Sequence, residues 1–200
     1  MARQSERSAA TIDAIVSAAR NLFMARGFDP VSIDEIAAAA GIAKGGVYHH
    51  FSSKRAIFEM VFDRVQSELA SQLNARLDAN PGPRTPDTIA TNILAYLKSA
   101  SEPGLHRLIL IDGPVVLGLK RWREIDDRHF FASIHSGLVA IMGPQADPRE
   151  VDAAARLVDG AVMEAALETG AAAKPLEVAR LYCAMLKDML SGLQKGTSRA

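Results

Sequence analysis

The residues of segment 32–55 that could do chemistry are of the types that bind nucleic acid. Lys44 and Lys54 carry positive charges that attract phosphate, and the hydroxyl groups of Ser32 and Tyr48 can hydrogen-bond to phosphate oxygens. His49 can meet DNA from the same helix. The segment therefore predicts a DNA-binding surface, provided that its secondary structure brings these side chains together.

Each of these side chains also has a purely structural interpretation. Tyr48 can be a core tyrosine, and the two lysines Lys44 and Lys54 can be solvated surface residues. His49 and His50 invite a metal site, but adjacent residues on a helix point about 100° apart and cannot easily share an ion. We expect an exposed Tyr48, a DNA-facing His49, and a His50 that packs or hydrogen-bonds at the edge of the domain.

Two short helices must position these residues. Ser32 and Glu35 fit a capping box, which predicts that a helix begins directly after Ser32. Gly41 supplies the positive φ that ends this helix, and residues 44–51 form the next one, with Val47 on its buried face. Two helices joined by a short turn containing glycine are typical of a helix-turn-helix, whose second helix enters the DNA major groove.

The run GIAKGGVYHHFSSKRAIF resembles the signature of the tetracycline-repressor (TetR/AcrR) family of bacterial one-component regulators. Matching residues recur at the family's spacing: Ser32, Ile36, Ala37, Gly41, Lys44, Gly45, Val47, Tyr48, Phe51, Lys54, Ile57 and Phe58. The close match covers about the first quarter of the chain. It implies an all-α fold of about nine helices, with an N-terminal helix-turn-helix head and a C-terminal body that binds a ligand and dimerises.

The resemblance implies DNA contacts by Ser32, Lys44, Gly45, Gly46, Tyr48, His49 and Lys54. Two positions depart from the family pattern. Ala43 replaces a Ser or Thr that would cap the recognition helix, and Gly46 stands where Thr, Ser or Ala is usual. Because consecutive glycines weaken a short helix, we expect this helix to be loose in the free protein. Specificity should then rest on Lys44, His49 and DNA shape.

Composition and charge add mild support for two domains, a DNA-binding domain at 1–55 and a ligand-binding and dimerisation domain at 56–200. Residues 1–55 carry seven Lys or Arg against five Asp or Glu, a net of +2, and the remainder carries sixteen against eighteen, a net of −2. The chain is 48% hydrophobic and 6% aromatic with Ala-rich stretches, which favours helices over sheet.

Hydrophobic periodicity predicts the remaining helices. Helix 1 covers 11–26 and follows a polar arm, residues 1–10, which is either a frayed tail or a segment that touches DNA. Further helices cover 54 to about 79, 86–100, 105–111 and 122–142. Asp112-Gly113-Pro114 ends the helix at 105–111. The last two begin at Pro148 and Pro175.

Segment 58–142 mixes aromatic residues with polar ones, and the family resemblance implies a ligand cavity there. We predict an effector pocket formed by Phe62, Tyr96, Asp112, Trp122, His129 and Phe130. The alternative is that these aromatics are ordinary core and the histidines are surface or satisfied core residues. An aromatic and aliphatic lining favours a small lipophilic or aromatic effector.

The last two helices are more apolar than a monomer surface. The resemblance implies a two-fold four-helix bundle between subunits, with Val158, Val162, Ala165, Tyr182, Leu186 and Leu190 at the interface. The alternative is burial of these side chains within one subunit. A homodimer explains how small heads read the two halves of a near-palindromic site.

An enzyme is the competing class, with His106, Asp112 or His129 as acid or base. The sequence holds no nucleophile–base motif, phosphate loop or H-E-x-x-H spacing, so we predict neither catalysis nor a metal or cofactor. Cys183 is the only cysteine, which excludes an internal disulfide and fits a reducing compartment. Without an apolar run of about 20 residues or a secretory signal, we expect a cytoplasmic protein. The family resemblance implies a transcriptional regulator, most often a repressor.

Overall fold

The computed structural model describes residues 2–196 and the side chains of residues 6–194. This part of the chain consists of helices joined by loops and turns, without a strand. The helices are α1 (Ala2–Arg26), α2 (Ile33–Ala40), α3 (Lys44–His50), α4 (Lys54–Asp78), α5 (Pro86–Ala100), α6 (Pro103–His106), a π-helix (Arg107–Asp112), α7 (Gly113–Leu117), α8 (Leu119–Met142), α9 (Pro148–Ala171) and α10 (Pro175–Gly196). The segments from α6 to α7 follow one another without a break, and as one stretch they bring the described helices to nine. The predicted all-α fold is confirmed.

The helix boundaries set by capping residues agree with the sequence. The Ser32 hydroxyl accepts a hydrogen bond from the Glu35 N–H at 3.2 Å, and a Glu35 carboxylate oxygen accepts from the Ser32 N–H at 2.8 Å. Gly41 ends α2 with a φ of +68°. Asp147 starts α9 by accepting from the Arg149 N–H. These local bonds satisfy helix-end groups and therefore fix where each helix begins or ends.

The predicted start of α1 is wrong. The helix begins at Ala2 rather than at residue 11, and the Thr11 hydroxyl donates to the Arg7 carbonyl one turn earlier. Residues 2–10 contain no glycine or proline, so nothing in them stops the helix, although its apolar face begins only later. The predicted arm is thus helical from Ala2, while Met1 and the side chain of Arg3 lie outside the described residues.

The predicted break at Asp112-Gly113-Pro114 is also wrong. The π-helix runs directly into α7, and Pro114, which has no N–H, lies in the first turn of α7. The chain turns instead at Gly118, which has a φ of +77°. Helix α8 accordingly begins at Leu119 and not at Trp122.

The chain divides into two compact units. The first extends to Val65 and also includes Pro103–Arg123, and the second comprises Gln66–Glu102 and the chain from Glu124 onward. The unit that holds the helix-turn-helix is therefore larger than residues 1–55. The proposed functional boundary after residue 55 stays a prediction.

Three phenylalanine rings centre the core of the first unit. Phe23 of α1, Phe28 of the following loop and Phe58 of α4 lie with ring centroids 5.3 to 5.6 Å apart. Such tilted and edge-to-face contacts add to the burial of the rings. These contacts pack α1 and the loop that follows it against the start of α4.

In the second unit, α5, α9 and α10 pack against one another. Of the six residues predicted at a dimer interface, this packing within the chain buries five: Val158, Val162, Ala165, Leu186 and Leu190. The sixth, Tyr182, is partly buried. The assignment of the five buried residues to an interface is corrected, because α9 and α10 each carry more than one apolar face and the subunit core takes the face to which these five belong. The interface role of Tyr182 stays a prediction.

Candidate DNA-binding surface and effector cavity

Helix α3 has one buried and one exposed face. Val47 is fully buried, whereas Lys44, Tyr48 and His49 are exposed, as is Ser32 at the start of α2. Tyr48 is 50% exposed, which excludes the core-tyrosine interpretation. The structure therefore brings a cation, a phenol and an imidazole to the surface of one two-turn helix.

Lys44 has a partner in the free protein. Its ammonium lies 2.8 Å from a carboxylate oxygen of Asp34 in the first turn of α2. Hydrogen bonding to Asp34 raises the pKa of Lys44, so the lysine is fully charged near neutral pH. The nearby carboxylate offsets part of the positive potential that this surface would otherwise present.

Lys54 does not extend toward solvent as a phosphate contact. Its ammonium donates to the carbonyls of Phe28, Asp29 and Val31 at 2.9 to 3.1 Å, and it lies 4.1 Å from the centroid of the Phe28 ring. All three ammonium protons are therefore used within the protein. Lys54 shapes the loop that leads into α2, and its predicted DNA contact is corrected on this ground.

The two glycines of α3 differ in their surroundings. A Cβ at Gly45 would meet no atom within 4 Å, but a Cβ at Gly46 would lie 2.8 Å from Ile42 Cγ2. Gly46 thus allows the turn residue Ile42 to approach the helix. Ala43 precedes α3 without a side-chain cap, as expected, and the looseness predicted for the free helix stays a prediction.

The second unit contains a cavity of about 100 Å³ between α4, α5, α8, α9 and α10. Tyr96, His129 and Phe130, three of the residues predicted for an effector pocket, line it. That an effector binds there stays a prediction. Tyr96 and Phe130 contact each other edge to face with centroids 5.7 Å apart. Apart from a few polar groups the walls are aliphatic or aromatic, which suits an apolar ligand.

The other three predicted pocket residues belong to the first unit and do not line this cavity. Asp112 accepts a hydrogen bond from the Phe28 N–H at 2.9 Å, and the Trp122 indole donates to the Ile109 carbonyl at 2.9 Å. Phe62 is fully buried in that core. The pocket prediction is corrected for these three, because the two polar side chains satisfy backbone groups instead of facing a cavity.

The sequence analysis missed an acidic residue of the cavity. Asp159 lines it and is only 4% exposed. One of its carboxylate oxygens, one of Asp126 and one of Asp127 lie within 4.8 Å of one another, and the last two residues belong to α8. A signal was present, since Asp159 stands between Val158 and Val162 on an otherwise apolar helix face.

Among the described helices, none is both long and apolar enough to span a bilayer. The arrangement can bind an apolar molecule in the second unit and present cationic and hydrogen-bonding groups in the first. Neither feature requires bond-making chemistry.

Comparison with known proteins identifies the family from both ends of the chain. Residues 15–61 match the family described as bacterial regulatory proteins of the tetR family, and residues 87–193 match the tetracyclin repressor-like C-terminal domain. The second match alone covers more than half of the chain. The family consists of transcriptional regulators and not of enzymes.

Individual relatives agree. The transposon Tn10 TetC protein of Escherichia coli is 30% identical over 123 residues, 62% of this chain and 59% of TetC. The transcriptional repressor BepR of Brucella suis is 37% identical over 86 residues, 42% of this chain and 40% of BepR. The matched chain thus spans about two fifths to three fifths of these curated relatives.

A solved structure extends the likeness over nearly the whole chain. A TetR-family transcriptional regulator from Pectobacterium atrosepticum superposes with a TM-score of 0.76 at 26% identity, covering 94% of this chain and 96% of the other. The helical fold of this chain is therefore shared with a solved regulator of the TetR family. The chain belongs to the TetR family of bacterial transcriptional regulators.

Proposed function

We propose that this protein represses transcription by binding a near-palindromic operator through α3, and that a small effector releases it. The observation that carries the proposal is the exposed polar face formed by Lys44, Tyr48 and His49, opposite the buried Val47. Membership of the TetR family supports it, and the relative BepR is a named repressor. Since bacterial DNA lies in the cytoplasm, we propose that the protein acts there.

The exposed groups have distinct proposed roles on DNA. Lys44 exchanges Asp34 for a phosphate, which costs little because exposed ion pairs contribute little. The Tyr48 hydroxyl donates to a second phosphate, and His49 faces the groove. The N–H groups in the first turn of α2, next to Ser32, attract a phosphate through the helix dipole.

Two copies are needed to read two half-sites, and we propose that they associate through α9 and α10. Each of four apolar side chains on these helices is more than half exposed: Leu157, Leu181, Met185 and Met189. The last three recur every four residues, which places them on one stripe along α10. An exposed apolar stripe on each copy can be buried against its two-fold mate.

The effector is proposed to occupy the cavity lined by Tyr96, His129 and Phe130. Helix α4 has residues in both compact units, so a ligand in the second unit can act on the first through a continuous helix. The ligand releases DNA only if it binds the non-binding arrangement more tightly than the binding one.

Selection of bound duplexes from a random DNA pool tests the DNA-binding proposal. The parent protein should enrich a near-palindrome, and Lys44→Ala/Tyr48→Ala should not. Lys174→Ala is a matched control, since Lys174 is an exposed lysine that also pairs with a carboxylate, that of Glu177 at 3.0 Å. Failure of the parent to enrich any sequence at low salt would contradict the proposal.

Sedimentation tests the dimer separately. Leu181→Lys/Met185→Lys places two charges on the exposed stripe and should yield monomers that keep the parent helicity. Leu119→Lys changes an equally exposed leucine of α8 and should leave the dimer intact. A monomeric parent at concentrations that bind DNA would exclude this interface.

A further inference from the structure

The polar end of the cavity is acidic. Asp159 is the acid among the lining residues, and it is 4% exposed. Asp126, 2% exposed, and Asp127 place carboxylate oxygens within 4.8 Å of it. Arg156 is paired with Asp127. A buried carboxylate in the wall of a cavity attracts a ligand group that carries positive charge.

An independent feature points to a missing hydrogen-bond partner. The Tyr96 hydroxyl lines the same cavity, is nine-tenths or more buried, and has no hydrogen-bond partner among the described residues. Burial, and the negative charges of Asp126 and Asp159, raise the pKa of Tyr96, so its hydroxyl stays neutral beside the carboxylates. A buried hydroxyl without a partner is costly, which favours a ligand that completes it.

A second unpartnered acceptor lies beside Asp126, although Gln66 does not itself line the cavity. Gln66 is fully buried, and its amide nitrogen donates to Asp126 at 2.7 Å, while its Oε1 has no partner. Among the lining residues, the polar end of the cavity offers the carboxylate of Asp159 and the phenol oxygen of Tyr96. Such a set matches a group that carries both positive charge and several N–H donors.

The remaining ionisable groups of the lining are Arg84 and His129. Arg84 precedes α5, and about 15 Å of helix rise separates the first turn of α5 from Tyr96, so the arginine lies toward the other end. His129 is one turn from Asp126 on α8. A divalent metal fits less well, because Asp127 is held by Arg156 and the remaining walls are apolar.

We infer that the cavity binds an organic ammonium ion whose apolar body, about the size of one ring, packs on the aliphatic and aromatic walls. Its charged nitrogen meets Asp159 and the Tyr96 hydroxyl. Binding of the ammonium ion to the cavity needs no DNA and does not depend on the proposed function. Only the identification of this molecule as the effector rests on the proposed function.

Calorimetric titration of the full chain without DNA tests this with three matched probes: 2-phenylethylammonium, 2-phenylethanol and phenylacetate. The ammonium should bind about tenfold or more tightly than the alcohol, and phenylacetate should bind least. Equal affinity for the ammonium and the alcohol, preference for phenylacetate, or no ammonium binding at about 10 mM would overturn the inference.

Variants locate the site. Asp159→Asn removes the charge at nearly constant shape and should weaken ammonium binding about tenfold or more. Tyr96→Phe removes only the unpartnered hydroxyl and should weaken ammonium binding less. This second variant tests the site even if Asp159→Asn fails to fold. Glu164→Gln, an exposed acid of the same helix, should have no effect. Undiminished binding by Asp159→Asn, or binding of MgCl2 alone that Asp159→Asn abolishes, would overturn the assignment.

The same preparations distinguish this inference from the proposed function. If the parent enriches an operator but shows no preference for the ammonium, only the ligand assignment fails. If the parent binds the ammonium through Asp159 but enriches no DNA, only the regulator proposal fails. Release of a bound operator by 2-phenylethylammonium, and not by 2-phenylethanol, supports both.

Discussion

The carboxylate of Asp112 accepts a hydrogen bond from the backbone N–H of Phe28 at 2.9 Å. This bond joins the end of the π-helix to the loop between α1 and α2, across 84 residues of sequence. Lys54 ties the same loop from the other side by donating to the Phe28 carbonyl. The loop that precedes the helix-turn-helix is therefore held by two charged side chains from distant segments of the first unit.

Asp112→Ala should lower the free energy of unfolding by about 1.5–3 kcal/mol, since it removes a charged acceptor from a partly buried N–H. Asp112→Asn keeps an acceptor oxygen and should lose less than half as much. Urea unfolding followed by circular dichroism measures both. Equal losses in the two variants would show that the Phe28 bond is not what Asp112 contributes.

The adjacent glycines of α3 should respond oppositely to alanine. Gly45→Ala adds a methyl group in open space and should raise stability by up to about 1 kcal/mol through helix propensity. Gly46→Ala drives its Cβ against the stiff, β-branched Ile42 and should lower stability by about 1–3 kcal/mol. Thermal unfolding of both variants checks this, and a stabilised Gly46→Ala would refute the close approach of Ile42.

These contrasts show what the sequence could and could not predict. The caps at Ser32 and Gly41 were predictable because their hydrogen bonds join residues a few positions apart. The roles of Asp112 and Lys54 were not predictable from local sequence. The N–H that donates to Asp112 lies 84 residues away, and the carbonyls that accept from Lys54 lie 23 or more residues away. Periodicity likewise marked Val162 as apolar, but could not say whether a cavity or a second subunit would cover it.

The start of α2 should weaken in acid. The side chain of Arg26, followed by the backbone and hydroxyl of Ser32, lowers the pKa of Glu35 to about 2 from its ordinary 4.5. A carboxyl with a lowered folded-state pKa contributes stability above pH 4.5, and that contribution is lost as the pH falls toward 2. The pH dependence of unfolding between 5 and 2 should therefore be shallower in Glu35→Gln, and an unchanged profile would contradict the pairing.

Cys183 should be nearly inert in the folded protein. Burial raises the pKa of its thiol to about 11 from an ordinary 9.0, so at pH 8 the thiolate fraction falls about 100-fold on folding. Alkylation by iodoacetamide should be slower by at least about that factor in buffer than in urea. Comparable rates would mean that α10 opens readily or does not bury the thiol.

The dependence of operator affinity on salt tests the central claim, that two copies of α3 bind DNA, most directly. Each lost phosphate contact lowers the magnitude of the slope of log affinity against log salt by about 0.9, so Lys44→Ala should lower it by about 1.8 in a dimer. Lys174→Ala should match the parent. A slope near zero for the parent, or one unchanged in Lys44→Ala, would contradict the proposed role of α3; a decrease of only about 0.9 would place a single copy on the DNA.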